Sequence, residues 1–125
     1  MLTMARLGTR DFPRAKAFYD ALAEALGASK CLEYPGAVGY RGANGGLLMV
    51  GLPRDGEATF GNGSQVGLEA PSRAAIDKAH AAALAHGGSC EGPPGPRGEP
   101  ERNMYAAYFR DPDGNKIMVM KTGEE

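Results

Sequence analysis

Imidazole and thiol side chains, the commonest carriers of proton and soft-metal chemistry, are few in this sequence. His80 and His86 are the only histidines, and Cys31 and Cys90 the only cysteines. The two cysteines are too few and too far apart for a zinc motif or a disulfide framework. With no base beside either in sequence, both are expected to be free, structural thiols. Both histidines fall in one helical segment. His80 lies on its apolar-periodic face, where a packing role is expected, and His86 near its end suits the helix dipole. The other candidates are Arg6 (a fixed cation), Gln65 (an amide), Glu69 (a carboxylate) and Tyr108 (a hydroxyl). Met4, Met49 and Met118 bring polarizable apolar surface and almost no acid–base chemistry. Tyr40 and Tyr105 read as ordinary strand aromatics, with a pocket role open to Tyr40.

These residues must be positioned by short elements. Residues 4–9 suit a strand. Asp11 can cap a helix with Pro13 tolerated in its first turn. Phe18, Ala21, Leu22, Ala25 and Leu26 mark one helical face, and Gly27 can close it. Strands are expected near 30–34, 37–41 and 46–51, then a polar, Gly-rich linker, "PRDGEATFGNGS", over 53–64. The pattern then restarts: a strand at 65–70, a helix capped by Ser72 with face Ile76, Ala79, His80, Ala83 and Leu84, and an end at Gly87-Gly88. A strand near 88–91 and a closing hairpin in "YAAYFRDPDGNKIMVM", 105–120, complete it. Met4, Leu7, Asp11 and Gly27 align with Gln65, Leu68, Ser72 and Gly88, each 61 residues later. The order β-α-β-β-β thus occurs twice. Such a repeat implies pseudo-symmetry, each copy covering the other's sheet face. "EGPPGPRGEPERN", 91–103, is too rich in Pro and Gly for regular structure and is expected to be a rim loop.

The 125 residues suit one domain, 1–125, with modules of approximately 1–52 and 64–122. A net charge of −1 gives no electrostatic case for nucleic acid or membrane as partner. Arg6, Arg10 and Asp11 interrupt any signal-peptide core, and no apolar run reaches membrane-spanning length. A cytoplasmic location is expected.

"YAAYFRDPDGNKI", "RDFPRAKAFYDALAEALG" and "SRAAIDKAHAAALAHGG" together resemble the glyoxalase / bleomycin resistance protein / extradiol dioxygenase superfamily, the vicinal oxygen chelate fold. The resemblance spans nearly the whole chain and implies an α+β fold. Tandem βαβββ modules would form a cupped, barrel-like mixed sheet with helices outside, usually in a homodimer. Enzymes of this family hold a divalent metal in the cup. Their first-strand ligand falls on Met4, the ligand opening the second module on Gln65, and the last-strand Glu on Met118. A fourth position used by some members falls near Met49. Only Gln65 is a residue type that the family uses as a ligand.

Side-chain parity decides what faces the cup. Asp111-Pro112-Asp113-Gly114 fits a type I turn followed by a left-handed Gly, which sets Tyr108 opposite Met118. Tyr108, Arg110, Lys116, Met118 and Met120 then share one face, and Phe109, Ile117 and Val119 the other. By the same alternation, Met4, Arg6, Gln65 and Glu69 face the cup, while Ala5, Leu7, Val66 and Leu68 face the core. Thioethers are poor donors to Mg²⁺, Mn²⁺ or Fe²⁺, so no metal and no cofactor are expected. A Cu(I) site at Met4, Met49 and Met118 is the soft-ligand alternative. The ligand-binding set is Met4, Arg6, Met49, Gln65, Glu69, Tyr108 and Met118, around a small, largely apolar molecule with an anionic or hydrogen-bonding end. Sequestration without turnover, as in the bleomycin-resistance branch, is the expected activity. The alternatives are a metal-dependent lyase or dioxygenase, metal-free proton transfer by Tyr108 or Glu69, and a non-catalytic structural or interaction module. A plain structural role would pair Arg6 with Glu69 and tie Tyr108 into an internal hydrogen bond.

Overall fold

A computed structural model describes all residues, 1–125. The first module comprises β1 (Met4–Gly8), α1 (Phe12–Leu26), β2 (Ser29–Tyr34), β3 (Ala37–Arg41) and β4 (Leu47–Gly51). The second comprises β5 (Val66–Glu69), α2 (Arg73–Ala85), β6 (Ser89–Arg97), β7 (Met104–Arg110) and β8 (Lys116–Thr122). The β-α-β-β-β order therefore occurs twice, as the repeat implies.

The helix ends follow their capping chemistry. The Asp11 side chain accepts from Arg14 N, Pro13 occupies the first turn, and Gly27 is left-handed at φ 71°. Ser72 accepts from Ala75 N. Helix α2 ends sooner than the 61-residue offset predicts, and its left-handed glycine is Gly87 at φ 92°. Gly88 is required for a different reason. A Cβ there would lie 2.6 Å from the Arg110 carbonyl oxygen and 2.8 Å from that of Ala83.

The strands form two four-stranded mixed sheets, β1-β4-β3-β2 and β5-β8-β7-β6, with no closed barrel. In each, the first strand runs parallel to the last and the others are antiparallel. Strands β1 and β5 are edges, each bonded on one side only. The modules meet chiefly through α1 and α2. Each helix covers its own sheet, so the expectation that each copy covers the other's sheet face is corrected. The small Ala75, Ala79 and Ala83 side chains, all buried, let the helices approach closely.

One cluster of 18 buried residues joins both modules, with Phe18, Tyr19, Leu22, Ile76, Phe109, Ile117 and Val119 among them. The buried stripe of α1 is rotated from the one predicted: Tyr19 and Ala23 are inside, whereas Ala21 and Ala25 are only partly buried. Leu84 is 43% exposed, a second correction.

The Pro-rich segment is also corrected. Residues up to Arg97 form β6, with register shifts between Cys90 and Gly92 and between Gly92 and Gly95. Proline removes a ladder donor, which excludes a central strand but not an edge strand, and β6 is at the edge.

Candidate functional site

The β7–β8 hairpin sets the parity of the second sheet. Asp111 N donates to Asn115 O at 2.9 Å, Gly114 N donates to Asp111 O at 2.9 Å, and Gly114 is left-handed at φ 92°. Tyr108 therefore pairs with Met118, and Phe109, Ile117 and Val119 are fully buried on the opposite face. Ala5, Leu7, Val66 and Leu68 pack against the core as expected.

Sequence reading treated DPDGN only as a turn, and the structure gives it a second task. Asp111, Asp113 and Asn115 are all buried, 4%, 7% and 3% exposed, which is unusual for polar residues at a hairpin tip. Asp113 accepts from Thr9 Oγ1 at 2.5 Å, Arg10 N at 2.9 Å and Arg14 Nη2 at 3.1 Å. Asp111 accepts from the Tyr19 hydroxyl at 2.5 Å and Asn115 Nδ2 at 2.8 Å, and Asn115 Nδ2 also donates to Gly8 O at 3.0 Å. The hairpin of one module is thereby fastened to the β1–α1 junction of the other. Burial raises the Asp111 carboxyl above its ordinary value, against the pull of Tyr19 and Asn115. Burial acts the same way on Asp113, but the Thr9, Arg10 and Arg14 contacts together outweigh it and hold that carboxyl low. The same burial and the neighbouring Asp111 push the Tyr19 hydroxyl well above its usual range.

The equivalent corner of the first module is open. Its β3–β4 turn, Gly42-Ala43-Asn44-Gly45-Gly46, offers no carboxylate, and the facing β5–α2 junction has Ala70 and Pro71 where the other corner has Thr9 and Arg10. A cavity of about 430 Å³ lies there, between α1, the β3–β4 turn, β1 and β5. Leu22, Leu26, Leu48, Val66 and Leu68 give it apolar walls, and Met4, Gln65 and Glu69 also line it.

The predicted site residues fall into two groups. Met4, Arg6 and Met49 belong to the first sheet, Arg6 and Met49 being register partners. Met49 is 8% exposed and lies over Gly39, where a Cβ would come within 2.6 Å of its sulfur. Gln65, Glu69, Tyr108 and Met118 belong to the second module. Gln65 Nε2 donates weakly to Met118 Sδ at 3.8 Å, and Gln65 thus links the cavity to the open face of the second sheet. Arg6, Met49, Tyr108 and Met118 do not line the cavity. Within one chain Arg6 and Tyr108 therefore do not form one polar end. Arg6 is exposed, and its Nη2 donates to Leu52 O at 2.9 Å, not to Glu69.

Tyr108 meets two cations. The Arg97 guanidinium carbon is 5.8 Å and Lys116 Nζ 5.6 Å from its ring centroid. Sequence reading missed Arg97 because it placed that residue in a loop. The metal expected of the family does not fit these residues. No three His, Cys, Asp or Glu side chains cluster to hold an ion. The residues at the ligand positions are two thioethers and an amide, weak donors to hard cations. Met4, Met49 and Met118 are divided between the two sheets, which removes the basis for a three-sulfur Cu(I) site within one chain.

His80 and Cys90 are separated in sequence but meet in space, with Nε2 3.2 Å from Sγ. His86 Nδ1 lies 2.9 Å from Ala82 O at the end of α2, a local capping contact. Tyr40 and Tyr105 donate to Asp20 at 2.6 Å and Asp77 at 2.9 Å, and Tyr40 lines the cavity.

The profile of the Glyoxalase/Bleomycin resistance protein/Dioxygenase superfamily matches residues 2–119. A glyoxalase/bleomycin resistance protein from Albidiferax ferrireducens T118 superposes with a TM-score of 0.87 at 39% identity, covering 96% of this chain and 98% of its own. A glyoxalase-related enzyme from Fulvimarina pelagi gives 0.70 at 20% identity, covering 96% and 86%. A glyoxalase/bleomycin resistance protein/dioxygenase family enzyme from Burkholderia phytofirmans PsJN gives 0.68 at 16% identity, covering 94% and 95%. At such identities the last two speak for the fold alone. No curated protein matches.

Proposed function

Because the chain belongs to the glyoxalase/bleomycin resistance protein/dioxygenase superfamily, we propose that it binds a small, largely apolar molecule without a metal. The observation that carries this reading is the apolar cavity of about 430 Å³ lined in part by Met4 and Gln65, two of the family's ligand positions. A concave, mostly apolar surface with a few polar groups is the usual form of a small-molecule site. From the cavity the site continues through Gln65 to Met118 and Tyr108, where Arg97 and Lys116 favour an anionic or hydrogen-bonding end.

A homodimer belongs to the same proposal. The open faces bearing Arg6 with Met49 and Tyr108 with Met118 lie on different sheets, and the modules meet through their helices, on the covered side. One chain therefore supplies two half-cups. A second copy docked along the unpaired edges β1 and β5 sets Arg6 and Met49 of one chain opposite Gln65, Tyr108 and Met118 of the other. A cytoplasmic setting fits two free cysteines.

The test is saturable binding of 8-anilinonaphthalene-1-sulfonate, an apolar molecule with an anionic end. Displacement by smaller apolar acids is expected. Met118→Asp places a carboxylate opposite Tyr108, at the end where Arg97 and Lys116 favour the ligand's anion, and weakens binding by at least about tenfold, or ~1.4 kcal/mol. Absence of saturable binding, or indifference to Met118→Asp in a folded variant, contradicts the proposal.

A further inference from the structure

The two cysteines are both exposed yet differ in what their sulfurs touch. Cys31 Sγ donates to a backbone carbonyl, Gly39 O, at 3.6 Å. Cys90 Sγ lies 3.2 Å from His80 Nε2. His80 is only 9% exposed, and its ring meets Phe109 edge to face at 6.3 Å. Cys90 pairs with Phe109 across β6 and β7, so its side chain points to the helix-covered face of an edge strand. An orientated base thus stands beside a thiol that solvent can reach.

We propose that Cys90 and His80 form a nucleophilic pair, in which the imidazole takes the thiol proton as the sulfur adds to a soft electrophile of the α,β-unsaturated carbonyl class. The Sγ–H bond breaks and its proton passes to His80 Nε2. A bond forms between Sγ and the β-carbon, and the alkene pair moves to the carbonyl as an enolate. The proton returns to the α-carbon, which leaves a neutral thioether and no need for an oxidant. The imidazole is available for this at neutral pH. Burial holds it below its ordinary value against the opposing charge of Asp77, one turn earlier on α2, so it is unprotonated. From β6 and β7 it faces Cys90 and Phe109, neither of which is a cation, and nearby Arg110 is engaged with Glu91 at 2.7 Å.

The full chain supplies its own control. Peptide mass spectrometry after brief exposure to N-ethylmaleimide gives the labelling rate of each cysteine at pH 6.5 and 7.5. Cys90 is expected to react at least about tenfold faster than Cys31, a margin that lies below the roughly hundredfold at which general-base contributions begin. Its rate should fall less between those pH values than that of Cys31, which has only a backbone carbonyl beside its sulfur. His80→Gln, shown to be folded by circular dichroism, should bring Cys90 to the rate of Cys31 and leave Cys31 unchanged. Equal rates with parallel pH dependences in the unmodified chain overturn the proposal, and that comparison decides whether or not the variant folds. A folded His80→Gln variant with an unchanged Cys90 rate overturns it as well.

Discussion

At the tip of the β7–β8 hairpin, Asp113 accepts hydrogen bonds from Thr9, Arg10 and Arg14 while its side chain is 3% exposed. Charge-assisted bonds to a buried carboxylate contribute about 1.5–3 kcal/mol each in favourable cases, less where the partner is solvated. Both arginines are roughly half exposed, so Thr9 and the Arg10 backbone N–H carry most of the effect. Asp113→Asn should therefore cost about 1–3 kcal/mol at neutral pH, read by urea unfolding. The pH dependence has a definite sign. The folded carboxyl titrates below its ordinary value, so its stabilisation is complete above about pH 4 and is lost as pH falls through the folded value. Asp111, held above its ordinary value, acts oppositely: its contribution is complete below about pH 4 and is lost as pH rises through the folded value. The variant should lose less stability on acidification than the parent. An unchanged acid profile would assign the acid sensitivity to other groups. DPDGN was legible as a turn because Pro and Gly fix its backbone. Its bonds to Thr9 and Tyr19 span about a hundred residues, and no local pattern reports such a contact.

At the level of elements, capping and periodicity were the readable signals. Asp11, Ser72 and Gly27 mark helix ends through local hydrogen bonding, and all three do so in the structure. Strand parity followed from one hairpin because alternation propagates along paired strands. What was not legible depends on neighbours. The rotation of α1 toward Tyr19 follows from Asp111, and the extension of β6 through Pro93, Pro94 and Pro96 follows from its place at a sheet edge. The meeting of His80 with Cys90 depends on how α2 crosses β6. Gly88 gives the element-scale prediction. A Cβ there would meet two carbonyl oxygens of the backbone and, at 3.0 Å, the Phe18 ring. Gly88→Ala should lower stability by about 1–3 kcal/mol, the range for overpacking, toward its upper end because backbone atoms cannot move aside. A melting temperature within a degree of the parent would mean that the α2–β6 junction relaxes freely.

For the whole molecule, the family resemblance and the repeat were legible because they rest on order and motif. The division of the candidate residues between two sheets was not, because a repeat does not say on which side its copies join. Joining through helices leaves the outer edges of β1 and β5 without a partner strand, with Leu2 82% and Met4 48% exposed beside β1's edge. Such an edge invites pairing. Light scattering should return twice the 13.1 kDa chain mass, and Met4→Glu should shift the population toward monomer. A monomeric parent would leave each half-cup open and would remove the two-chain site.

The central claim is that the cup binds its ligand through Met4, Gln65 and Met118 without a metal. The most direct measurement is elemental analysis of protein purified without chelator, combined with ligand titration before and after chelator. Metal well below one ion per chain and a titration unchanged by chelator are predicted. Near-stoichiometric iron, manganese, nickel or zinc at these side chains, or binding abolished by the chelator, would contradict it.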